Sequence, residues 1–259
     1  MPTWVLNKAI QRKAKVALSG DGGDEWLAGY PTHRANQLYR IYDQFPGFVR
    51  DTLQSLAESL LRPRYKKVGW DYKLRQFLSC PKNDRNRAHY HWRTVFSDFE
   101  KNKLMSKELK ALCHGYDPFD VFDQYFSNVR YGEFIDQCMY VDIKTWLQDD
   151  ILLKVDRMSM ANSVEVRSPF LDHRLVEHVM PLQRTAKTEW GRTKIILKDA
   201  TKSYLPKSIV KRKKQGFGAP THEIGRFSIS GSTAGGLFNS CFNLDPSKVD
   251  VTYKSLGLS

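Results

Sequence analysis

A chain of 259 residues with 41% hydrophobic and 12% aromatic content can bury a sizeable core, which excludes a disordered or fibrous protein and suits one large or two modest domains. No stretch approaches the roughly 20 apolar residues of a membrane span. Met1-Pro2-Thr3-Trp4 lacks the form of a secretory signal, and Cys80, Cys113, Cys138 and Cys241 are scattered without metal spacing, so a reduced, cytoplasmic protein is expected. The net charge of +13 is spread along the chain without zinc-finger spacing or a zipper, and reads as a solvated face or a rim for an anionic substrate, not as specific nucleic-acid recognition.

Trp4, Val5, Ala9 and Ile10 give residues 3–13 one apolar helical face. A short apolar run, Val16-Ala17-Leu18, then reads as a buried strand. It enters Ser19-Gly20-Asp21-Gly22-Gly23-Asp24-Glu25, and a second helical pattern opens at Trp26 and Leu27. Strand, glycine-rich turn and helix in this order bring backbone N–H groups to one point, a geometry suited to phosphate or acyl-phosphate groups. The glycines permit close ligand approach, and Asp21, Asp24 and Glu25 offer carboxylates for Mg2+. A plainer reading is an acidic surface turn that caps a helix. The spacing is neither a dinucleotide fingerprint, nor a Walker A loop, nor an EF-hand, so the loop alone says anion and metal and no more. This helix-strand-helix opening implies a parallel sheet. Only one convincing strand is visible, so further strands are expected from residues outside this chain or from another chain.

From Asn36 onward the pattern is helical to a turn at Pro46-Gly47, and helices are predicted over 49–61, 70–78, 84–95, 103–114 and 118–129. Tyr90, Trp92, Phe96 and Phe99 at these spacings are expected in the core. Residues 142–147 read as helix, Gln148-Asp149-Asp150 as a break, and 151–161 as helix again. In that last stretch Lys154 and Arg157 share a face among apolar neighbours, which suits either structural ion pairing or an anionic ligand. Residues 165–172 cross a turn marked by Pro169, and 173–181 resume a helix. The basic run within 205–220 leads into Gly216-Phe217-Gly218. It reads either as a solvated helix end or as a mobile cationic loop that folds over a phosphate.

Three segments occur together and in order: Ser-Gly-Asp-Gly-Gly-Asp-Glu-x-x-x-Gly-Tyr; Leu-Leu-x-Lys-x-Asp-Arg-x-Ser-Met-Ala with Glu-x-Arg-x-Pro-Phe-Leu-Asp; and Arg-x-Lys-x-Gly-Phe. In this combination the chain resembles the synthetase domain of glutamine-hydrolysing asparagine synthetases, in the bacterial branch associated with surface-polysaccharide loci, over about residues 2–220. The resemblance implies an α/β fold of the ATP-pyrophosphatase type (adenine nucleotide α-hydrolase-like), with a parallel sheet followed by a mainly helical C-terminal portion. It implies an ATP-dependent ligase that adenylates aspartate to β-aspartyl-AMP, releases pyrophosphate, and forms asparagine with ammonia derived from glutamine. Carried over by position, Ser19, Gly20 and Gly22 would contact the nucleotide, and Asp24 would be a Mg2+ ligand. Asp21 would handle the β-aspartyl-AMP intermediate and the incoming ammonia, and Lys214 would stabilise negative charge during adenylation. Glu165, Arg167 and Asp172 would hold the architecture of the site, with Lys154, Asp156 and Arg157 behind or beside the substrate. The chemistry agrees: adenylation gathers charge at the α-phosphate, which Mg2+ and a lysine offset, and a carboxylate can take the proton ammonia loses.

The sequence also departs from that pattern. Position 2 is proline where the family's glutaminase uses cysteine, and the pyrophosphate loop Ser-Gly-Gly-x-Asp-Ser does not occur. The expectation is a partial synthetase domain over residues 1–227 with a divergent or truncated tail over 228–259. Such a chain would be inactive alone, would expose a sheet edge, and would be completed by an upstream chain carrying the glutaminase and the pyrophosphate loop. A ligase for another carboxylate, such as a sugar acid in surface-polysaccharide biosynthesis, is the second reading. A non-enzymatic basic binding module is the third.

Overall fold

Helix α1 (Pro2–Gln11) turns into strand β1 (Val16–Leu18) in the computed structural model, which describes residues 2–60, 70–129 and 132–212. Helices α2 (Pro31–Tyr42), α3 (Gly47–Leu60), α4 (Trp70–Leu78), α5 (Arg85–His91), α6 (Asp98–Leu104), α7 (Lys107–Leu112) and α8 (Phe119–Asn128) follow. Helix α9 (Phe134–Asp142), a π-helix (Ile143–Leu152) and α10 (Leu153–Met160) then run on without a break in helical backbone to β2 (Glu165–Arg167). A 3-10 turn (Pro169–Leu171) leads to α11 (His173–Val179), α12 (Arg184–Lys187), a hairpin of β3 (Thr188–Glu189) and β4 (Arg192–Thr193), α13 (Ile195–Thr201) and α14 (Lys207–Val210). The architecture is thus mixed α/β and mostly helical, with two small sheets among the described residues.

Capping chemistry sets several of these boundaries. Asp84 accepts the Arg87 N–H at 2.8 Å and opens α5. Ser97 and Glu100 form a reciprocal capping box at α6, and Ser106 accepts the Leu109 N–H at 3.2 Å to open α7. Each serine starts its own helix and Met105 between them is extended, so the helix predicted over 103–114 runs only from Lys107 to Leu112, and residues 103–104 are instead the end of α6. The break predicted at Gln148-Asp149-Asp150 is instead continuous π-helix, whose wider hydrogen-bonded ring absorbs those residues without opening the backbone. Phe96 is 51% exposed and stands outside the core, whereas Trp92 is buried in it and Tyr90 packs edge-on against Phe119 and Phe122.

The strand that pairs with β1 comes from this chain. β1 and β2 are parallel, with Val16 opposite Glu165, Ala17 opposite Val166 and Leu18 opposite Arg167. The ladder continues at both ends, from Glu165 N–H to Lys15 O at 2.8 Å and from Ser19 N–H to Arg167 O at 2.8 Å. β2 lies where the sequence reads as a turn, because three residues flanked by charge carry too little periodicity to mark a strand. On β1, Val16 is 43% and Leu18 74% exposed, so one apolar face of the pair is open. Parallel strands are ordinarily covered on both faces.

Four apolar clusters make up the described core, and two of them hold the segment after the glycine loop. Trp26 and Leu27 pack with Val179, Phe170 and Ile196, while Ala28 packs with Ile135 and Met139. The largest cluster joins Tyr39, Tyr42, Ala57, Leu78 and Ala88 across α2, α3, α4 and α5, with Trp92 just past the end of α5. Helix α1 lies against α10. No helix among the described residues is long and apolar enough to cross a membrane. The basic stretch at 62–67, Lys214 with its neighbours, and the 228–259 tail lie outside the described residues.

Candidate active site

Because β1 and β2 are parallel, both strands leave the sheet on the same side, and the glycine-rich loop begins there. Ser19 and Ser168, the first residues past the register, bring their hydroxyls to 2.6 Å. Ser19 Oγ also donates to Asp21 Oδ2 at 2.8 Å. The sequence expectation of a helix from Trp26 is corrected here. Residues 21–28 form consecutive turns, Ala28 takes a positive φ of 51°, and helix begins only at Pro31. Tertiary anchoring explains the delay, since the Trp26 indole N–H donates to Phe170 O at 2.8 Å and fixes a conformation that helix would not allow.

The glycines of the loop have different surroundings. A Cβ built on Gly20 would meet nothing within 4 Å, so this backbone is open to approach from outside. Gly22, at φ +88°, lies so close to Leu171 that a Cβ would overlap its side chain, and Gly23 abuts the Phe170 ring. Pro-Phe-Leu in the second motif is therefore the surface on which the glycine loop is moulded.

The three carboxylates part company as well. Asp21 faces Ser19. Asp24 meets Lys194 Nζ at 2.7 Å, with Gly29 packed against both. Glu25 is only 1% exposed and accepts the Tyr30 hydroxyl; burial pushes its carboxyl up more than that hydrogen bond pulls it down. Burial and the neighbouring Glu25 likewise raise the Tyr30 phenol.

Behind Glu25 and Tyr30 lies a polar network that sequence reasoning missed. Asp142, fully buried at the end of α9, accepts from His33 Nε2 at 2.8 Å, from His89 Nε2 at 3.0 Å and from the Arg93 guanidinium. Arg93 in turn lies over the Tyr30 ring at 4.4 Å and the Trp146 ring at 5.1 Å. Burial opposes the Asp142 charge, but His89, Arg93 and the His33 hydrogen bond outweigh it and hold the carboxyl well below the usual range. Burial also depresses His33, more than Asp142 restores it. His33 and Asn36, one helical turn apart on α2, gave the only local signal of an inward polar face. Lys194 gave none.

The remaining motif residues lie around this centre or on the surface. An open cleft of about 580 Å³ beside the strand ends is lined by Leu18, Arg167, Ser168, Leu171, Asp172 and Arg174, among others. Arg167 pairs with Glu165 at 2.8 Å. Asp172 opens α11 by accepting the Arg174 N–H, and hydrogen bonds from the Arg174 side chain and backbone pull its carboxyl down to about 2. Lys154, Asp156 and Arg157 are exposed, with Lys154 paired to Asp150 at 2.9 Å on the same helix. Ser19, Gly20, Asp21, Gly22 and Asp24 thus stand on one loop at the strand ends, while Lys214 lies outside the described residues.

Comparison with known proteins supplies the family. The model of the asparagine synthase family matches residues 1–229. The chain belongs to the asparagine synthase family. It is 30% identical over 220 residues to glutamine-hydrolysing asparagine synthetase 1 of Bacillus subtilis, covering 85% of this chain and 33% of that protein. It is 30% identical over 148 residues to asparagine synthetase 3 of the same organism, covering 51% and 24%. It is 26% identical over 241 residues to the amidase chry2 of Gibberella zeae, covering 85% and 34%. The chain therefore spans about a third of the length of the curated relatives it matches. No solved structure matches it significantly.

Proposed function

We propose that this asparagine synthase family chain carries part of the synthetase site of a glutamine-dependent asparagine synthetase, built on an ATP-pyrophosphatase-type sheet. One observation carries the reading: Ser19-Gly20-Asp21 stands at the carboxyl ends of a parallel strand pair, where α/β folds bind ligands, with Gly20 open to close approach. The phosphates of ATP then lie along the Ser19 and Gly20 backbone. An oxygen of the aspartate β-carboxylate bonds to the α-phosphorus as the bond to pyrophosphate breaks. Ammonia next attacks the acyl carbon, the bond to AMP breaks, and Asp21 receives the proton the amine loses. Lys214 offsets charge during adenylation.

The residues present fit Mg2+ in one way only. Among the described residues no group of three or more His, Cys, Asp or Glu forms an all-protein cage. Asp24 supplies a single partly exposed carboxylate. Mg2+ accepts such a site when substrate phosphates and water complete its shell, and when bound it neutralises phosphate charge. Lys194 must then yield its hold on Asp24.

In this reading the synthetase portion covers residues 1–227 and the tail 228–259 diverges. The partners are aspartate and glutamine-derived ammonia, with the glutaminase and pyrophosphate loop supplied from outside these 259 residues, all in the cytoplasm. The open apolar face at Val16 and Leu18 supports a further layer packed over this strand pair. The second reading takes another carboxylate, such as a sugar acid, as the acceptor; the match to a protein named an amidase shows that this fold region is not confined to asparagine synthetases. Calorimetry with non-hydrolysable acyl-adenylate mimics separates the two. Tighter binding of the aspartyl mimic supports the first reading, tighter binding of a uronyl mimic the second, and binding of neither overturns both.

A further inference from the structure

The register of the parallel pair puts two hydroxyls side by side. Leu18 stands opposite Arg167, so Ser19 and Ser168 leave their strands together, and the Ser19 N–H still bonds Arg167 O at 2.8 Å. Their oxygens are 2.6 Å apart, and Ser19 Oγ donates to Asp21 Oδ2 at 2.8 Å. A serine hydroxyl has one proton. Since the Ser19 proton points to Asp21, Ser168 must be the donor in the contact between the two serines. The result is a directed chain: Ser168 O–H to Ser19 Oγ, and Ser19 O–H to Asp21 Oδ2.

We propose that Ser168 is a positioning residue for Asp21, acting through Ser19; the proposal rests on the reading of Asp21 as proton acceptor in amination. Both serines and Asp21 are half-buried, a setting in which a hydroxyl–carboxylate bond is short and strong and successive hydrogen bonds reinforce one another. Ser168 occupies a lone pair of Ser19 and thereby stops that hydroxyl from turning away. With Oδ2 held, Asp21 keeps its carboxylate plane fixed and presents Oδ1 to the amine. Ser168 sits on the wall of the open cleft beside Arg167 and Leu171, so it reaches Asp21 from a strand far away in sequence.

The test follows the Asp21 side-chain 13C carboxyl resonance in the full chain, selectively labelled. Ser168→Ala is expected to shift this resonance in the same direction as Ser19→Ala, and the double variant to match Ser19→Ala alone, because Ser168 acts only through Ser19. Ser168→Thr retains the hydroxyl and is expected to keep the resonance at its wild-type position. Should alanine disturb the strand, as judged from the β1 and β2 amides, Ser168→Cys asks the same question with a weak donor of similar size. An unmoved Asp21 resonance, or a double variant that shifts further than Ser19→Ala, would overturn the proposal. The underlying reading is measured separately, by ammonia-dependent amide formation in Asp21→Asn of the assembled enzyme. Coupling present with amide formation intact removes Asp21 as acceptor, whereas coupling absent removes Ser168 whatever Asp21 does.

Discussion

Lys194 Nζ lies 2.7 Å from Asp24 Oδ1, so the acidic loop is tied to the segment that follows the β3–β4 hairpin. Lys194 adopts a positive φ of 53° and donates its own N–H to Leu27 O at 3.2 Å, which places its side chain across the loop. In the proposed function this lysine competes with Mg2+ for Asp24. Lys194→Met should therefore tighten Mg2+ binding by up to about fivefold, in keeping with the ~0.2–1 kcal/mol of a partly exposed ion pair. Mn2+ titration followed by electron paramagnetic resonance measures this, and weaker binding in the variant would assign Lys194 to the ligand itself.

The contrast between Gly20 and Gly22 gives a second prediction. Gly20→Ala adds a methyl group to open space and should leave stability unchanged while weakening nucleotide binding. Gly22→Ala meets Leu171 at a positive φ and should cost about 1–3 kcal/mol through overpacking and strain. Urea unfolding of the two variants reads the difference directly.

The Asp142 network should behave as a structural unit. Asp142→Asn leaves Arg93, His33 and His89 buried with a weaker partner, and breaking such a buried ion pair costs about 3–5 kcal/mol. Asp123 on α8 is exposed, and Asp123→Asn is the matched control with no expected change in unfolding midpoint. If the two variants lose equal stability, the network does not hold the loop's rear wall.

The same network sets the response to acid. Burial depresses His33, so the unfolded chain takes up a proton near the ordinary histidine value while the native residue stays neutral. Stability from His33 is then complete above about pH 6.5 and lost as pH falls below it. Asp142 adds a second loss at lower pH, as its depressed carboxyl is forced to protonate. Glu25 has the opposite sign: its raised carboxyl withdraws stability as pH rises from the ordinary carboxylate range through its native value. Unfolding measured between pH 7 and 5 should steepen with acid, and His33→Gln should flatten that slope.

Much of the frame was legible because it is local. Val16-Ala17-Leu18 read as a strand, the glycine loop as a turn, and α1, α3 and α4 as helices from their apolar spacing. What escaped depends on partners far off in the chain. β2 is three residues long and becomes a strand only through its pairing with β1. Trp26 carries helical spacing, yet its bond to Phe170 O holds it in a turn. Motif residues between the signature positions were equally silent. Ser168 is an unspecified position of its motif, and Lys194 and Asp142 belong to none, though each touches or backs the loop.

In the proposed function the Ser19-Gly20-Asp21 backbone at the strand ends receives the phosphates of ATP. Backbone amide spectra of the 15N-labelled chain, recorded during titration with ATP and Mg2+, test it most directly. Saturable shifts are expected, concentrated at Ser19, Gly20 and Asp21, weakened in Gly20→Ala and retained in Asp123→Asn. Saturable shifts confined to other segments, or none at these three amides at millimolar nucleotide, would contradict it.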